Sequence, residues 1–486
     1  MALRIFNYLT REKELFEPLR EGHVGMYACG PTVYDHAHLG HAKTYVALDV
    51  VVRYLRYLDY QVRYVQNITD VGHLLDSGED RIIRKARLER VEPMEVAETY
   101  TRSYFKDMDA LHVTRPDISP RASGHIPEQI QIVETLLEKG YAYETDNGDV
   151  YFSVEALDDY GKLSGRDIED LEAGARVQVR EEKRHPADFA LWKHAEPKHI
   201  LRWPSPWGWG YPGWHVECTA MATRYLGETF DIHGGGIDNI FPHNDCEIAQ
   251  SEAATGKPFA RYWVLTGSLT VDNVKMSKSL GNFITIKEAL ELYSPEAIRF
   301  FMLSSHYRKP VDFSREAMEA AERGVERLHN TVRTLRQWRE QAEPGEAADL
   351  SEMATLVPHS EQFLAAMDDD FNTPQAIAAL FDLNRKVNEL LNSGRTLSRT
   401  TLDAIDDIYS ELGGQILGVI PDDLARGASE ELVEGLMDII LDIRERYRES
   451  QAWERADALR DQLAEVGIVV DDRPEGPVWR LDHGSP

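Results

Sequence analysis

The sequence predicts an α/β protein: a parallel-sheet domain interrupted by an inserted connective segment, then an α-helical domain, then a small C-terminal α+β domain. Three observations carry this. The first third alternates strand-type and helix-type apolar patterns. A turn-rich, charged stretch breaks that alternation from about Thr114. Beyond Arg315 the apolar residues recur three and four apart, as on a helix face.

Each element follows in order. Residues 24–29 are a short apolar run of strand type. Residues 39–58 read as a helix, with Val46, Val50, Tyr54 and Leu58 at four-residue spacing. Residues 62–68 return to a strand ending at Asn67-Ile68-Thr69-Asp70. Strand–helix–strand of this length implies a right-handed parallel unit. Ligands of such sheets gather at the carboxyl ends of the strands. Residues 1–113 are therefore the first half of the parallel domain. Residues 114–187 are the insertion: 141–152 read as a hairpin around Asn147-Gly148, a strong tight-turn signal, and 176–184 are highly charged. The second half, 188–270, returns at Asp188-Phe189-Ala190-Leu191-Trp192. Residues 271–314 hold a mobile lysine loop. In 315–420, Met318, Ala321, Val325, Leu328, Val332 and Leu335 form a helix-packing seam. Residues 342–352 break the helices, and 374–391 are amphipathic. In 421–486, a helix at 452–463 precedes a strand pair at 468–470 and 478–480.

The chain has 486 residues, with 42% hydrophobic and three cysteines, Cys29, Cys218 and Cys246. That length suits about three domains of ~100–200 residues. No apolar stretch approaches the ~20 residues that span a bilayer, and the first residues lack a secretory pattern. Three cysteines are not a disulfide framework; they suit a reducing cytoplasm, where cysteines more often serve metals or catalysis. Eighty-three acidic residues face 54 basic ones, a net charge of −29. That balance opposes a polyanionic partner. Either basic residues are locally concentrated, or the chain is adapted to high salt, where the Debye length shrinks to ~3 Å at 1 M. The second reading is favoured.

Three segments carry chemistry. Pro31 to His41 lies between a strand and a helix, so its end meets a helix N-terminus that favours anions. Gly40 permits close backbone approach. His38 and His41, three apart, share a face of the first turn and can donate to phosphate oxygens. Alone, they would read more readily as ordinary helix-start residues. The second segment, Lys275-Met276-Ser277-Lys278-Ser279, sets two ammonium groups on a short loop able to stabilise a leaving pyrophosphate. Gly267 and Gly281 flank it and suggest movement. Together the two segments make a solvated basic turn a poor reading. Third, His243 and Glu247 are four apart, and Phe241-Pro242 before them suits a helix start. Cys29 and Cys218 would add thiolates from two strand ends, completing a Cys₂HisGlu tetrahedral set for one Zn²⁺. Spacing leaves open that both cysteines are buried apolar residues, and Cys246 is a competing ligand. His233-Gly234-Gly235-Gly236-Ile237-Asp238 offers backbone N–H groups and a carboxylate for a ribose or an ammonium, or is a flexible linker. The tryptophan-rich stretch 203–214 reads as a structural loop except for Trp214.

With these residues on the page, the chain resembles the cysteinyl-tRNA synthetases, a family of class I aminoacyl-tRNA synthetases. His38-Leu39-Gly40-His41 looks like the family's HIGH signature, and Lys275 to Ser279 matches KMSKS letter for letter. Cys29-Gly30-Pro31-Thr32, Pro212-Gly213-Trp214-His215-Val216-Glu217-Cys218 and Asp231-Ile232-His233-Gly234-Gly235-Gly236 narrow the resemblance to the cysteine enzyme. It extends to Asp369-Asp370-Phe371-Asn372-Thr373-Pro374 and to the tail.

The resemblance implies a Rossmann-like catalytic domain, with catalytic His38, His41, Lys275 and Lys278. It implies ATP, with Mg²⁺, at Gly30, Thr32, His38, Gly40, His41, Gly234, Gly235, Asp238 and Lys278. It implies L-cysteine at Cys29, Gly30, Thr69, Trp214 and Asp238, and zinc on Cys29, Cys218, His243 and Glu247. The partner is tRNA(Cys), read at its anticodon by the tail, where Trp453, Arg460, Asp461 and Trp479 are candidates. A cytoplasmic monomer is expected.

The chain also departs from the family. His-His-Glu-Asn-Glu becomes His243-Asn244-Asp245-Cys246-Glu247, and Leu265 and Ser268 stand where relatives often carry histidines. The insertion is short for a separate editing domain; a metal contact to sulfur can discriminate by ~10⁴–10⁵ without proofreading. Two rivals remain at this stage: a cysteine–amino-sugar ligase of mycothiol-type synthesis, and a non-catalytic RNA-binding protein.

Overall fold

The computed structural model describes residues 2–72, 80–166, 182–197, 199–276, 280–345, 348–424, 430–465, 468–473 and 476–481. Two compact units divide the chain, residues 1–422 and 423–486.

At the centre of the first unit are four parallel strands in the order Ala260–Thr266, Phe230–Gly236, His23–Ala28, Gln61–Gln66. Helix Leu39–Tyr57 forms the crossover between His23–Ala28 and Gln61–Gln66, as the four-residue spacing predicts. Helices Trp214–Leu226 and Asp245–Thr255 precede and follow Phe230–Gly236. From His23–Ala28 the strand order runs one way to Gln61–Gln66 and the other way to Phe230–Gly236. The crevice at such a switch point is where ligands of these sheets bind.

Two strands of the expected insertion join three from beyond residue 187 in a five-stranded antiparallel sheet, ordered Ala142–Glu144, Val150–Phe152, Phe189–His194, Gly208–Pro212, Trp203–Ser205. The hairpin around Asn147-Gly148 is present. Phe189–His194, expected to begin the return of the parallel sheet, instead pairs with Val150–Phe152 and Gly208–Pro212. The tryptophan-rich stretch is thus two strands of this sheet rather than a loop.

A three-stranded sheet follows, with Leu269–Val271 antiparallel to Val274–Lys275 and parallel to Val311–Phe313. Asp272 and Asn273 turn its hairpin with φ of 50° and 61°, the double positive φ that a two-residue turn demands. Helix Arg315–Gln341 then buries Met318, Ala321, Val325, Leu328, Val332 and Leu335, the predicted seam. Helix Leu350–Asp368 packs on Thr373–Leu391, and Arg399–Tyr409 packs on Arg315–Gln341.

The second unit holds helices Glu430–Glu449 and Trp453–Glu465 and the antiparallel pair Ile468–Arg473 and Gly476–Leu481. Met437, Leu441, Leu463 and Val470 form its core. Among the described residues, no helix is long and apolar enough to cross a membrane.

Candidate active site and metal centre

A cavity of about 460 Å³ opens at the carboxyl ends of the parallel strands. The loop after His23–Ala28 contributes Cys29, Gly30 and Thr32, and the following helix start contributes His38, Gly40 and His41. Thr69 lines it from the loop after Gln61–Gln66. Trp214, Cys218, Asp238 and His243 line it too, as do Ser268 and Lys275. Residues from five separate stretches of sequence thus meet in one crevice.

The histidine motif is built by the helix terminus. His38 is the N-cap of Leu39–Tyr57, and its ring stacks on His41 with centroids 3.9 Å apart. A Cβ at Gly40 would lie 2.8 Å from His38 Cε1, so only glycine lets the ring take this place. The His38 backbone N–H donates to His41 Nδ1 at 3.2 Å. Burial, aided by His38, pulls the His41 pKa well below its ordinary value. His41 is therefore neutral at pH 7, and with Nδ1 accepting, its proton sits on Nε2, ready to be donated.

The substrate-side groups are tied to their neighbours. Gly30 N–H donates to Asn67 Oδ1 at 2.7 Å, and Asn67 Nδ2 donates to Thr69 Oγ1 at 3.0 Å. Thr69 is buried. The Trp214 ring lies 4.7 Å from that of His243. Lys275 Nζ stands 3.7 Å from the Asp238 carboxylate, both largely exposed. Lys278 lies outside the described residues. Gly234 and Gly235, expected at the nucleotide, do not line the cavity. They lie inside strand Phe230–Gly236 and are buried, Gly234 beneath Leu48; Gly236 reaches the lining. Gly267, read as a hinge, is instead pressed against Lys309, where a Cβ would lie 2.4 Å from the carbonyl carbon.

The four expected metal ligands converge. Cys29, Cys218, His243 and Glu247 are all buried, and their ligand atoms lie within 4.8 Å of one another. Cys29 sits at the end of His23–Ala28, as expected. Cys218 does not end a strand; it lies in helix Trp214–Leu226. The helix carrying Glu247 begins at Asp245, and His243 belongs to the turn before it, after a cis Phe241–Pro242 bond. His243 Nε2 is 3.2 Å from Glu247 Oε1, and Cys29 Sγ is 3.5 Å from the same oxygen.

The charges explain the clustering. Burial would raise the Glu247 pKa, but His233 and His243 hold it well below the usual range. Burial opposes protonation of His243, yet Glu247 and Cys218 push its pKa up to about 10. A hydrogen bond from Cys29 lowers the Cys218 pKa, and that shared proton, with burial, raises that of Cys29. Four ionisable groups gathered out of water are costly unless paired or on a metal. Two sulfurs, an imidazole and a carboxylate within this distance suit zinc, and the residues fit that ion. Cys246, the competing ligand, is packed in a different apolar cluster with its sulfur 3.5 Å from the Tyr160 hydroxyl.

Sequence reasoning missed three supporting side chains. His233 Nε2 lies 2.8 Å from Glu247 Oε2, and the His233 ring stacks on Trp263 at 4.1 Å. His215 Nδ1 lies 2.9 Å from His243 Nδ1, and Asn244 Nδ2 donates to Glu247 Oε2 at 3.1 Å. All three lie within the quoted motifs, the signal that could have found them. In the tail, Trp453 is exposed, Arg460 lies near Asp457 and Asp461, and Trp479 packs against the small core.

A family model described as the class I (C) tRNA synthetase catalytic domain matches residues 15–323. A DALR domain matches residues 362–421, and a cysteinyl-tRNA ligase anticodon binding domain matches 437–480. The cysteine–tRNA ligase of Chlorobium chlorochromatii is 53% identical over 99% of this chain and 100% of its own length. That of a Thermus thermophilus strain is 50% identical over 99% and 100%. Among solved structures, Mycobacterium tuberculosis methionyl-tRNA synthetase with methionyl-adenylate superposes with a TM-score of 0.58 at 16% identity. The match covers 83% of this chain and 92% of that one, a likeness of fold.

Proposed function

The chain belongs to the cysteine–tRNA ligase family of class I aminoacyl-tRNA synthetases, and on that premise we propose how its residues divide the reaction. The enzyme joins L-cysteine to its cognate tRNA at the expense of ATP, through a cysteinyl-adenylate. The amino-sugar ligase reading is set aside, because the anticodon-binding match belongs to the tRNA ligase. So is a non-catalytic role, since the whole length aligns with cysteine–tRNA ligases.

Cys29, Cys218, His243 and Glu247 hold one zinc ion. When bound there, the ion would supply a soft Lewis acid that favours the substrate's sulfur as thiolate over serine's harder, less acidic hydroxyl. Thr69 and Trp214 bound the amino-acid end, and Gly30 and Thr32 supply backbone where it meets the nucleotide. Asp238 meets an ammonium or a ribose hydroxyl.

ATP enters with Mg²⁺ between the histidine pair and the lysine segment. The cysteine carboxylate attacks the α-phosphorus and pyrophosphate leaves. His41 Nε2–H and the His38 ring steady the growing negative charge, and Lys275 and Lys278 follow the leaving group. The acyl group then passes to the tRNA 3′ end. Trp453, Arg460, Asp461 and Trp479 are offered to the anticodon, and the enzyme works as a cytoplasmic monomer, which light scattering tests.

One observation carries this reading: four buried metal-type donors converge beside the cavity that also receives His38 and His41. Metal analysis with ATP–pyrophosphate exchange tests it. One zinc per chain is expected, with serine ~10⁴–10⁵-fold poorer than cysteine. A fully active protein without a transition metal overturns it.

A further inference from the structure

Glu247 is fully buried, and its two oxygens are treated differently. Oε1 faces the other ligands, 3.2 Å from His243 Nε2 and 3.5 Å from Cys29 Sγ. Oε2 is taken up elsewhere, 2.8 Å from His233 Nε2 and 3.1 Å from Asn244 Nδ2. A carboxylate can give a metal one oxygen or both. Two nitrogen donors on Oε2 favour one.

Asn244 is placed to do more than fill space. It directly follows the ligand His243 and is fully buried. Its amide has two N–H groups. One is donated to Glu247 Oε2, and the same nitrogen lies 3.9 Å from Cys29 Sγ. The side chain thus bridges two ligands that come from different elements. Among the described residues its Oδ1 has no hydrogen-bond partner, and a buried orphan oxygen costs stability. The opposite amide orientation would set oxygen against the Glu247 carboxylate, so the network fixes the assignment. A residue that leaves its oxygen unsatisfied while its nitrogen meets two ligands is serving those ligands. Unlike histidine, asparagine keeps both donors at every pH.

We infer that Asn244 is a positioning residue for amino-acid selection: it holds Glu247 to single-oxygen ligation and so keeps a coordination position for the substrate's sulfur. The inference rests on the zinc reading above. It adds that the ligand set alone does not secure an open position, and that the neighbouring amide, acting beside His233 on the same oxygen, does.

The test uses the full-length protein with Co²⁺ in place of zinc. Near-ultraviolet absorption reports each sulfur on cobalt, and the visible bands report coordination number. Asn244→Ala removes the amide donor and leaves His233 on Glu247 Oε2; Asn244→Leu does the same while keeping the volume, so a folding failure of the first leaves the second. Both are expected to bind one metal per chain. Both should show a changed visible spectrum before substrate, as Glu247 Oε2 swings onto the metal. Cysteine should bind about 10–100-fold more weakly, the usual size of such outer contacts, and its sulfur-to-cobalt band should shrink. Variants with wild-type spectra and cysteine affinity overturn this inference alone, as do folded variants that lose the metal outright. A wild-type protein that never binds metal overturns the zinc reading, and this inference with it.

Discussion

The Arg299 guanidinium and the Asp49 carboxylate, both fully buried, form an ion pair between helix Pro295–Leu303 and the helix that begins beside His38. Arg299 also donates to the carbonyls of Leu417 and Leu111, at 2.5 and 3.2 Å. Breaking such a pair strands a buried charge, so Arg299→Ala or Asp49→Ala should each cost about 3–5 kcal/mol in chemical denaturation. The pair also fixes a pH dependence. Burial works against the Asp49 anion, but Arg299 and Arg53 hold its pKa below the ordinary value. The stabilisation is therefore complete above the unfolded-state pKa of about 3.9 and fades as pH falls through the lower folded value. Asp49→Asn should flatten that acid limb of a stability-against-pH curve.

His38 and His41 line the cavity and are the proposed donors to the ATP phosphates. His38→Ala or His41→Ala should each slow ATP–pyrophosphate exchange by about 10²–10³-fold, the cost of losing one such donor. The cysteine dissociation constant should change little. An equal loss of both quantities would mean that the ring pair holds the pocket's shape instead.

Gly30 has no room for a side chain. A Cβ there would lie 1.6 Å from the Asn67 carbonyl oxygen. Gly30→Ala must push apart the loops that carry Cys29 and Thr69. Thermal unfolding should show a loss of about 1–3 kcal/mol or more, with weakened cysteine binding.

Residues 423–486 form a unit of their own. Truncation after Asp422 should leave cysteine-dependent pyrophosphate exchange within a few-fold of normal and abolish tRNA charging. Unchanged charging would refute anticodon reading by this unit.

The net charge of −29 predicts an enzyme that tolerates KCl well above physiological strength. Charging measured against KCl should hold or rise toward 1 M, where the Debye length is about 3 Å. A low-salt optimum with steady loss above it would return the acidity to an ordinary surface property.

Much of the site was legible because its signatures are local. His38 to His41 and Lys275 to Ser279 are short runs whose chemistry is visible in the letters. The proposed metal ligands were legible only as a set, and the backbone setting of Cys218 was not. Residues 215–222 of the Cys218 helix are all buried, and a helix buried all round has no amphipathic period to separate it from a buried strand. Cys246 and Glu247 are adjacent in sequence but point about 100° apart on a helix, so only the fold shows that one leaves the metal group. Pairing between Phe189–His194 and Val150–Phe152 depends on tertiary contact that no local pattern reports. The contact of His233 with Glu247 was invisible for the same reason.

Leu48 of helix Leu39–Tyr57 rests on Gly234, whose missing side chain would otherwise come within 2.9 Å of it. One methyl group added in the middle of the sheet would force the Leu48 and Met26 side-chain tips to give way. The helix that presents the two imidazoles at its start thus beds on the sheet through a contact with no spare room for a methyl.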